Sequence, residues 1–397
     1  MAISTHDFDQ MINRRGTQSV KHDFMPEDVI SMWVADMDFR SPEPVIQALQ
    51  ERAAHGVFGY TMESESFKQV IVERMARLYN WTVQPGEIIA LPGVVAAFTL
   101  AMRVFGGTNV MTTTPVYPPF LSAPNANGQA LNAVPMAVTR QGQRLHYEMN
   151  FDAMEAAVDD GTRVFILCSP HNPVGRVWTR EELTQLAEFC AKHELVLISD
   201  EIHADFVFSG YQHIPTASLA PEVASRTITL MAPSKTFNIP SLGFAFAIIQ
   251  DEALRTQFGQ AVWSQLPHPG CFGLTAAHAA YSEGQPWLDD LMVYLQANRD
   301  LTTAFLEANL PEVPFTHPEG TYLTWLDCRA YELEQVAPAG NDFFSQVIEP
   351  FFMQKAKVAL NSGLGFAAPG FARLNFGTPR ARLQEALERM QTAIMSK

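Results

Sequence analysis

Five short apolar runs punctuate the middle of the chain: NVMTTTP (109–115), RVFILCSP (163–170), LVLISDE (195–201), TITLMAP (227–233) and FAFAII (244–249). They are rich in β-branched and aliphatic residues, the texture of strands buried on both faces. Between two of them, TREELTQLAEFCAKH (179–193) changes period. Leu183, Leu186, Ala187 and Cys190 recur at i, i+3, i+4 and i+7, and Thr179 with Glu182 forms a capping box. Helical patterning also covers 44–55 and 64–79, and a small-residue helix follows Gly93 within 91–106. Strands alternating with helices predict a mostly parallel sheet flanked by helices. Upstream, residues 1–45 read as irregular, with MWVADMDF (32–39) the one strand-like piece and HGVFGYT (55–61) a turn.

After about residue 285 the texture changes. An amphipathic helix over roughly 287–309 leads to TYLTWLDC (321–328), a helix near 341–355, and the strands KVALNS (357–362) and FARLNFG (371–377). Thr378-Pro379 opens a last helix with Leu383, Ala386, Leu387 and Met390 on one face. The expectation is an α/β protein with a large domain over 46–285. Residues 1–45 and 286–397 would form a smaller α+β domain.

Composition narrows the class. The 397 residues are 47% hydrophobic with a formal net charge of −15. Such a charge repels polyanions, which argues against nucleic acid and anionic membranes as partners. No apolar run reaches bilayer length, and the opening MAISTHDFDQ has neither the basic flank nor the apolar core of a secretory signal. The four cysteines form no C-x-x-C pair. A cytoplasmic protein with reduced thiols is expected.

Chemistry gathers at strand ends. Of seven lysines, only Lys235 directly follows a buried strand. A desolvated amine loses its proton readily and can attack an aldehyde; alone, Lys235 could equally carry its charge from a strand end to water. RVFILC runs into Ser169-Pro170-His171-Asn172, and LVLIS into Asp200-Glu201-Ile202-His203. Singly, Asn172 suits a turn before proline, Asp200 a cap and His203 a core position. In an open parallel sheet ligands bind beyond the carboxyl ends of strands, so Asn172, Asp200, His203 and Lys235 could meet on one ligand.

Four motifs, SPHNPVGRVW, SDEIHADF, APSKTFNIP and FARLNFGTPR, stand in this order. With them the chain resembles the fold-type I pyridoxal-phosphate enzymes of the class I/II aminotransferase group over essentially its whole length. MWVADMDF, HGVFGYT and PVYPPF narrow the resemblance to the cystathionine β-lyase (C–S lyase) branch. The resemblance implies pyridoxal 5'-phosphate as cofactor, an amino acid as substrate, and a homodimer with shared active sites. It makes Lys235 the lysine that joins the cofactor aldehyde and later the catalytic base. Asp200 would pair with the ring nitrogen, and Asn172 would donate to the phenolic oxygen. His203 occupies the place of a tyrosine common in relatives, and Tyr117 would lie against the ring. The phosphate would fall to Val94 and Val95 behind Gly93, to Ser234, and to Tyr60 of a second copy. Arg373 would clamp the substrate carboxylate.

The sequence departs from the aminotransferase pattern at two phosphate positions. Ala232 stands where a hydroxyl residue is common, and Gly243 where an arginine is common. Ser169 and the FGTP stretch also differ from the commoner family residues. The expected activity is cleavage of cystathionine or a related cysteine conjugate to a thiol, pyruvate and ammonia. The alternatives are an aminotransferase and, as a third class, a pyridoxal-phosphate-binding regulator without turnover.

Overall fold

Seven of the chain's strands share one sheet in the computed structural model, which describes residues 6–331 and 347–396. They are β1 (Ile88–Leu91), β2 (Asn109–Thr114), β3 (Ala130–Pro135), β4 (Thr162–Cys168), β5 (Val196–Asp200), β6 (Thr227–Met231) and β7 (Ala245–Ile248). Their order is β1-β7-β6-β5-β4-β2-β3. Neighbours pair parallel except β7, which runs antiparallel to both β6 and β1. The carboxyl ends of β1, β2, β4, β5 and β6 therefore lie along one edge.

The apolar runs are continuous because both faces are covered. Val110, Ile166 and Ile198 pack with the helix Val94–Phe105, which buries Val94, Ala97, Phe98, Ala101 and Met102. Their neighbours in sequence, Met111, Phe165 and Leu197, point to the other face. There they meet Leu183, Leu186, Phe189 and Cys190 of the helix Arg180–Lys192. The expected capping box starts that helix, with Thr179 Oγ1 accepting from the Glu182 N–H at 3.2 Å. Pairs with period two on each strand thus join two helical layers through one sheet.

A second, antiparallel sheet is built from β8 (Leu323–Asp327), β9 (Asn361–Ser362) and β10 (Phe371–Asn375), with β10 central. The long helix Gln285–Asn309 and the final helix Arg380–Met395 pack with it in the largest core cluster. KVALNS is split: Val358–Ala359 pairs parallel with Ile30–Ser31, and only Asn361–Ser362 joins β10.

Three features differ from the sequence expectation. MWVADMDF is not a strand; only Ile30–Ser31 before it is extended and paired. Met32 still pairs through its backbone with Ala359 and Asn375, but the carbonyls from Trp33 to Asp36 are taken by side chains. Asn375 Nδ2 donates to Val34 O and Asp36 O, and Lys21 Nζ to Asp36 O. Of the helix expected near 341–355, residues 341–346 lie outside the described residues, and Phe352–Ala356 forms a single wide turn. Edge strand β3 and the hairpin 137–148 carried no clear apolar signal, since half or more of each faces solvent, and edge strand β1 is only the four apolar residues IIAL. No helix among the described residues is long and apolar enough to cross a membrane.

Candidate active site

Four of the parallel strands, β2, β4, β5 and β6, deliver polar residues to the common edge. Asp200 is the last residue of β5 and sits opposite Cys168 of β4. Asn172 follows β4, Tyr117 follows β2, and Ser234 and Lys235 lie in the short turn Pro233–Thr236 after β6. Arg373 comes from the other sheet, opposite Asn361 on one side and Trp325 on the other.

Lys235 is half-buried, and its Nζ donates to the Ala35 carbonyl at 2.7 Å. Burial pulls its ammonium down to about 8; Asp36 and Asp200 oppose that pull and Arg373 adds to it. Asp200 is buried and accepts from the Ile202 N–H at 3.1 Å. Its other oxygen has no hydrogen-bond partner among the described residues. Burial pushes its carboxyl up to about 7, the Ile202 N–H and Lys235 acting against the shift and Glu201 with it. His203 is buried, and its Nδ1 has no partner. Burial, helped by Lys235 and Arg373, lowers it to about 3, so the ring is neutral near pH 7.

Arg373 is buried without an anion. Its Nη1 donates to Asn172 Oδ1 at 2.9 Å, its Nη2 to the Trp33 carbonyl at 2.9 Å and to Asn361 Oδ1, and its Nε has no partner. The guanidinium lies 4.9 Å over the Phe366 ring. Burial lowers its pKa to about 10. Because Asn172 Oδ1 is taken by Arg373, its Nδ2 is left to donate. Tyr117 is half-buried, and burial raises its phenol, with Asp200 raising it further.

Beside this group lies the start of the helix Val94–Phe105, whose first-turn N–H groups, Val94 and Val95 included, have no partner within the helix. The space beyond Gly93 is open: a Cβ there would meet nothing within 4 Å. Gly243 lies next to this loop, where a Cβ would stand 3.5 Å from the Pro92 carbonyl. Its φ of +62° suits glycine and disfavours the arginine common elsewhere. Ser234 is half-buried, and its hydroxyl has no hydrogen-bond partner among the described residues.

These residues fit pyridoxal phosphate on chemistry alone. The pocket holds an amine of lowered pKa and a buried carboxylate lacking a cation in contact. It also holds a free amide donor and a helix N-terminus facing open space. Tyr60 is the residue the chain does not bring to this group. It stands fully exposed on the irregular stretch after the helix Glu43–His55.

Sequence reasoning missed Tyr322, Asn361, Asn375 and the carbonyls of Trp33 and Ala35. The asparagines of LNS and RLNF, half-buried Asn361 and buried Asn375, interrupt apolar strands, and that interruption was the available signal. The carbonyls left none.

The chain matches the family described as Aminotransferase class I and II over residues 27–390. It is 39% identical to the Bacillus subtilis (strain 168) protein named cystathionine beta-lyase PatB, covering 98% of this chain and 100% of that one. Cystalysin from Treponema denticola, solved with pyridoxal 5'-phosphate, superposes with a TM-score of 0.90, at 32% identity over 98% of this chain and 99% of that one. The C-S lyase of Staphylococcus hominis, also solved with the cofactor, gives 0.89 at 31% identity over 99% of this chain and 100% of that one.

Proposed function

The chain belongs to the class I and II aminotransferase family, and from that premise we propose that it is a pyridoxal-phosphate-dependent carbon–sulfur β-lyase. It cleaves cystathionine or related cysteine S-conjugates to a thiol, pyruvate and ammonia. The observation that carries the reading is the pairing of Lys235 with Arg373. An amine of lowered pKa stands near a buried guanidinium that has only neutral partners, as a site for an α-amino acid requires.

When bound, the cofactor supplies the electron sink that makes a substrate Cα–H acidic. The chain's own residues do the rest. Arg373 takes the α-carboxylate on its unsatisfied edge and orients the substrate. With the cofactor bound, Asp200 would hold a proton on the ring nitrogen, and Asn172 Nδ2 would donate to the phenolic oxygen. Lys235, once free, takes the Cα proton onto Nζ. Expulsion of the sulfur from Cβ follows, in place of the reprotonation that transamination needs. Gly243 and Ala232 stand where aminotransferases commonly carry phosphate partners. The relatives named for C–S cleavage support the same choice.

The working unit in this reading is a cytoplasmic homodimer. Tyr60, exposed in one copy, would reach the phosphate bound by the Val94–Val95 turn and Ser234 of the other. His203 and Tyr117 would line the cofactor ring. Residues 46–285 form the large domain, and 1–45 with 286–397 the small one. The test is direct. Purified protein with cystathionine should release pyruvate and free thiol without any keto-acid partner, and Lys235→Ala should lose both activity and the covalent cofactor absorbance. Turnover that requires 2-oxoglutarate would replace the lyase reading with the aminotransferase one.

A further inference from the structure

Two donors meet on one backbone oxygen at the edge of the pocket. Lys235 Nζ lies 2.7 Å from Ala35 O, and Tyr322 Oη lies 2.7 Å from the same atom. Tyr322 is fully buried, with its ring edge-on to Phe206 at 4.9 Å and to His203 at 6.0 Å. Those ring contacts would survive in a phenylalanine, and so would the bond from the Phe376 N–H to the Tyr322 carbonyl. The hydroxyl therefore serves the oxygen that Lys235 also uses. That oxygen is fixed from outside the pair: Asn375 Nδ2 grips the carbonyls on either side, Val34 O at 2.6 Å and Asp36 O at 2.9 Å.

We propose that Tyr322 is a positioning residue for Lys235, its hydroxyl sharing the Ala35 carbonyl with the lysine amine and limiting how tightly that carbonyl holds it. The proposal rests on Lys235 being the lysine that joins the cofactor. A carbonyl oxygen has two lone pairs, and two donors on one oxygen draw on the same electron density. An ammonium is a stronger donor than a neutral amine, so competition costs the ammonium more. The phenol thereby favours the neutral amine that attacks an aldehyde or takes a proton, and it lets the side chain leave its resting place. Asp36, Asp200 and Arg373 also act on the amine, and Tyr322→Phe leaves all three in place.

The test reads the lysine without turnover. Full-length protein freed of cofactor is mixed with pyridoxal 5'-phosphate over a pH series, and covalent attachment is followed by absorbance. The cofactor's own ionisations are common to all proteins compared. In the wild type the rate should rise through a midpoint near 8. In Tyr322→Phe the midpoint should move up by roughly half a pH unit, with the high-pH plateau unchanged. A ring-fluorinated tyrosine at 322, a stronger donor of the same shape, should move it down. An unmoved midpoint in both variants, or a shift of the same sign in both, overturns the proposal, whatever happens to melting temperature. Wild-type protein that takes up the cofactor no differently from Lys235→Ala would instead overturn the reading beneath it.

Discussion

Asp200 is the least comfortable charge in the pocket, and its discomfort is measurable. Burial raises its carboxyl from 3.8 to about 7. The folded chain thus holds that proton more tightly than the unfolded chain. The resulting stabilisation is complete below about pH 4 and is lost as pH rises through about 7. Asp200→Asn stays neutral throughout. Without cofactor, it should be more stable than the wild type at pH 8 by on the order of a few kcal/mol, with the gap narrowing towards pH 4. Urea midpoints at pH 5 and pH 8 check this; an equal gap at both would show that Asp200 is not titrating between them. The same variant with cofactor should be nearly inactive, because an amide cannot hold the ring proton. Asp200 and Lys235 were legible in the sequence because each ends a strong apolar run. His203 was legible as a position only, since its unpartnered Nδ1 depends on packing from Phe206 and Tyr322.

At the scale of elements, the segment 32–39 shows what local pattern cannot reveal. Its mix of aromatic and aliphatic residues reads as a strand, yet its backbone is bent and pinned by side chains far along the chain. Asn375 holds two of its carbonyls and also accepts from the Gly377 N–H at 2.8 Å. Asn375→Ala would leave the Val34 carbonyl and the Gly377 N–H unpaired, while Lys21 still serves Asp36 O, at about 1–3 kcal/mol of stability. Activity should fall further than stability alone explains, since Ala35 and Trp33 would drift from Lys235 and Arg373. Urea titration together with kcat/KM under conditions of full folding checks both parts. Retained kcat/KM would mean the segment holds its course without Asn375. By contrast, the helix Arg180–Lys192 was readable to its ends, because its cap and its apolar stripe are both local.

For the whole molecule, the exposed apolar residues are the guide. Val57, Phe58, Met62 and Trp263 are each more than half exposed, and Tyr60 wholly so. Exposed apolar residues gathered along one stretch suit a surface that another protein covers. If a second copy covers it and brings Tyr60 to the phosphate, Tyr60→Phe should weaken cofactor retention by about 1.5–3 kcal/mol. Mixed dimers of Tyr60→Phe and Lys235→Ala chains should then regain activity, because one of their two sites carries neither change. Mixed dimers that form but recover nothing would place Tyr60 within its own chain's site or outside it. The sequence could suggest this arrangement only through resemblance, since one chain folded alone leaves Tyr60 in solvent. The pocket also has a temporal side. Arg373 touches the Trp33 carbonyl 340 residues away and Asn172 201 residues away, so its walls come from both ends of the chain. A ribosome that has made the whole central sheet has still not made Arg373, the residue proposed to receive the substrate carboxylate. In the proposed reading, an unfinished chain holds Lys235 but lacks the group that would choose which amino acid it meets. On that reading the carboxylate clamp arrives late in synthesis, with β10.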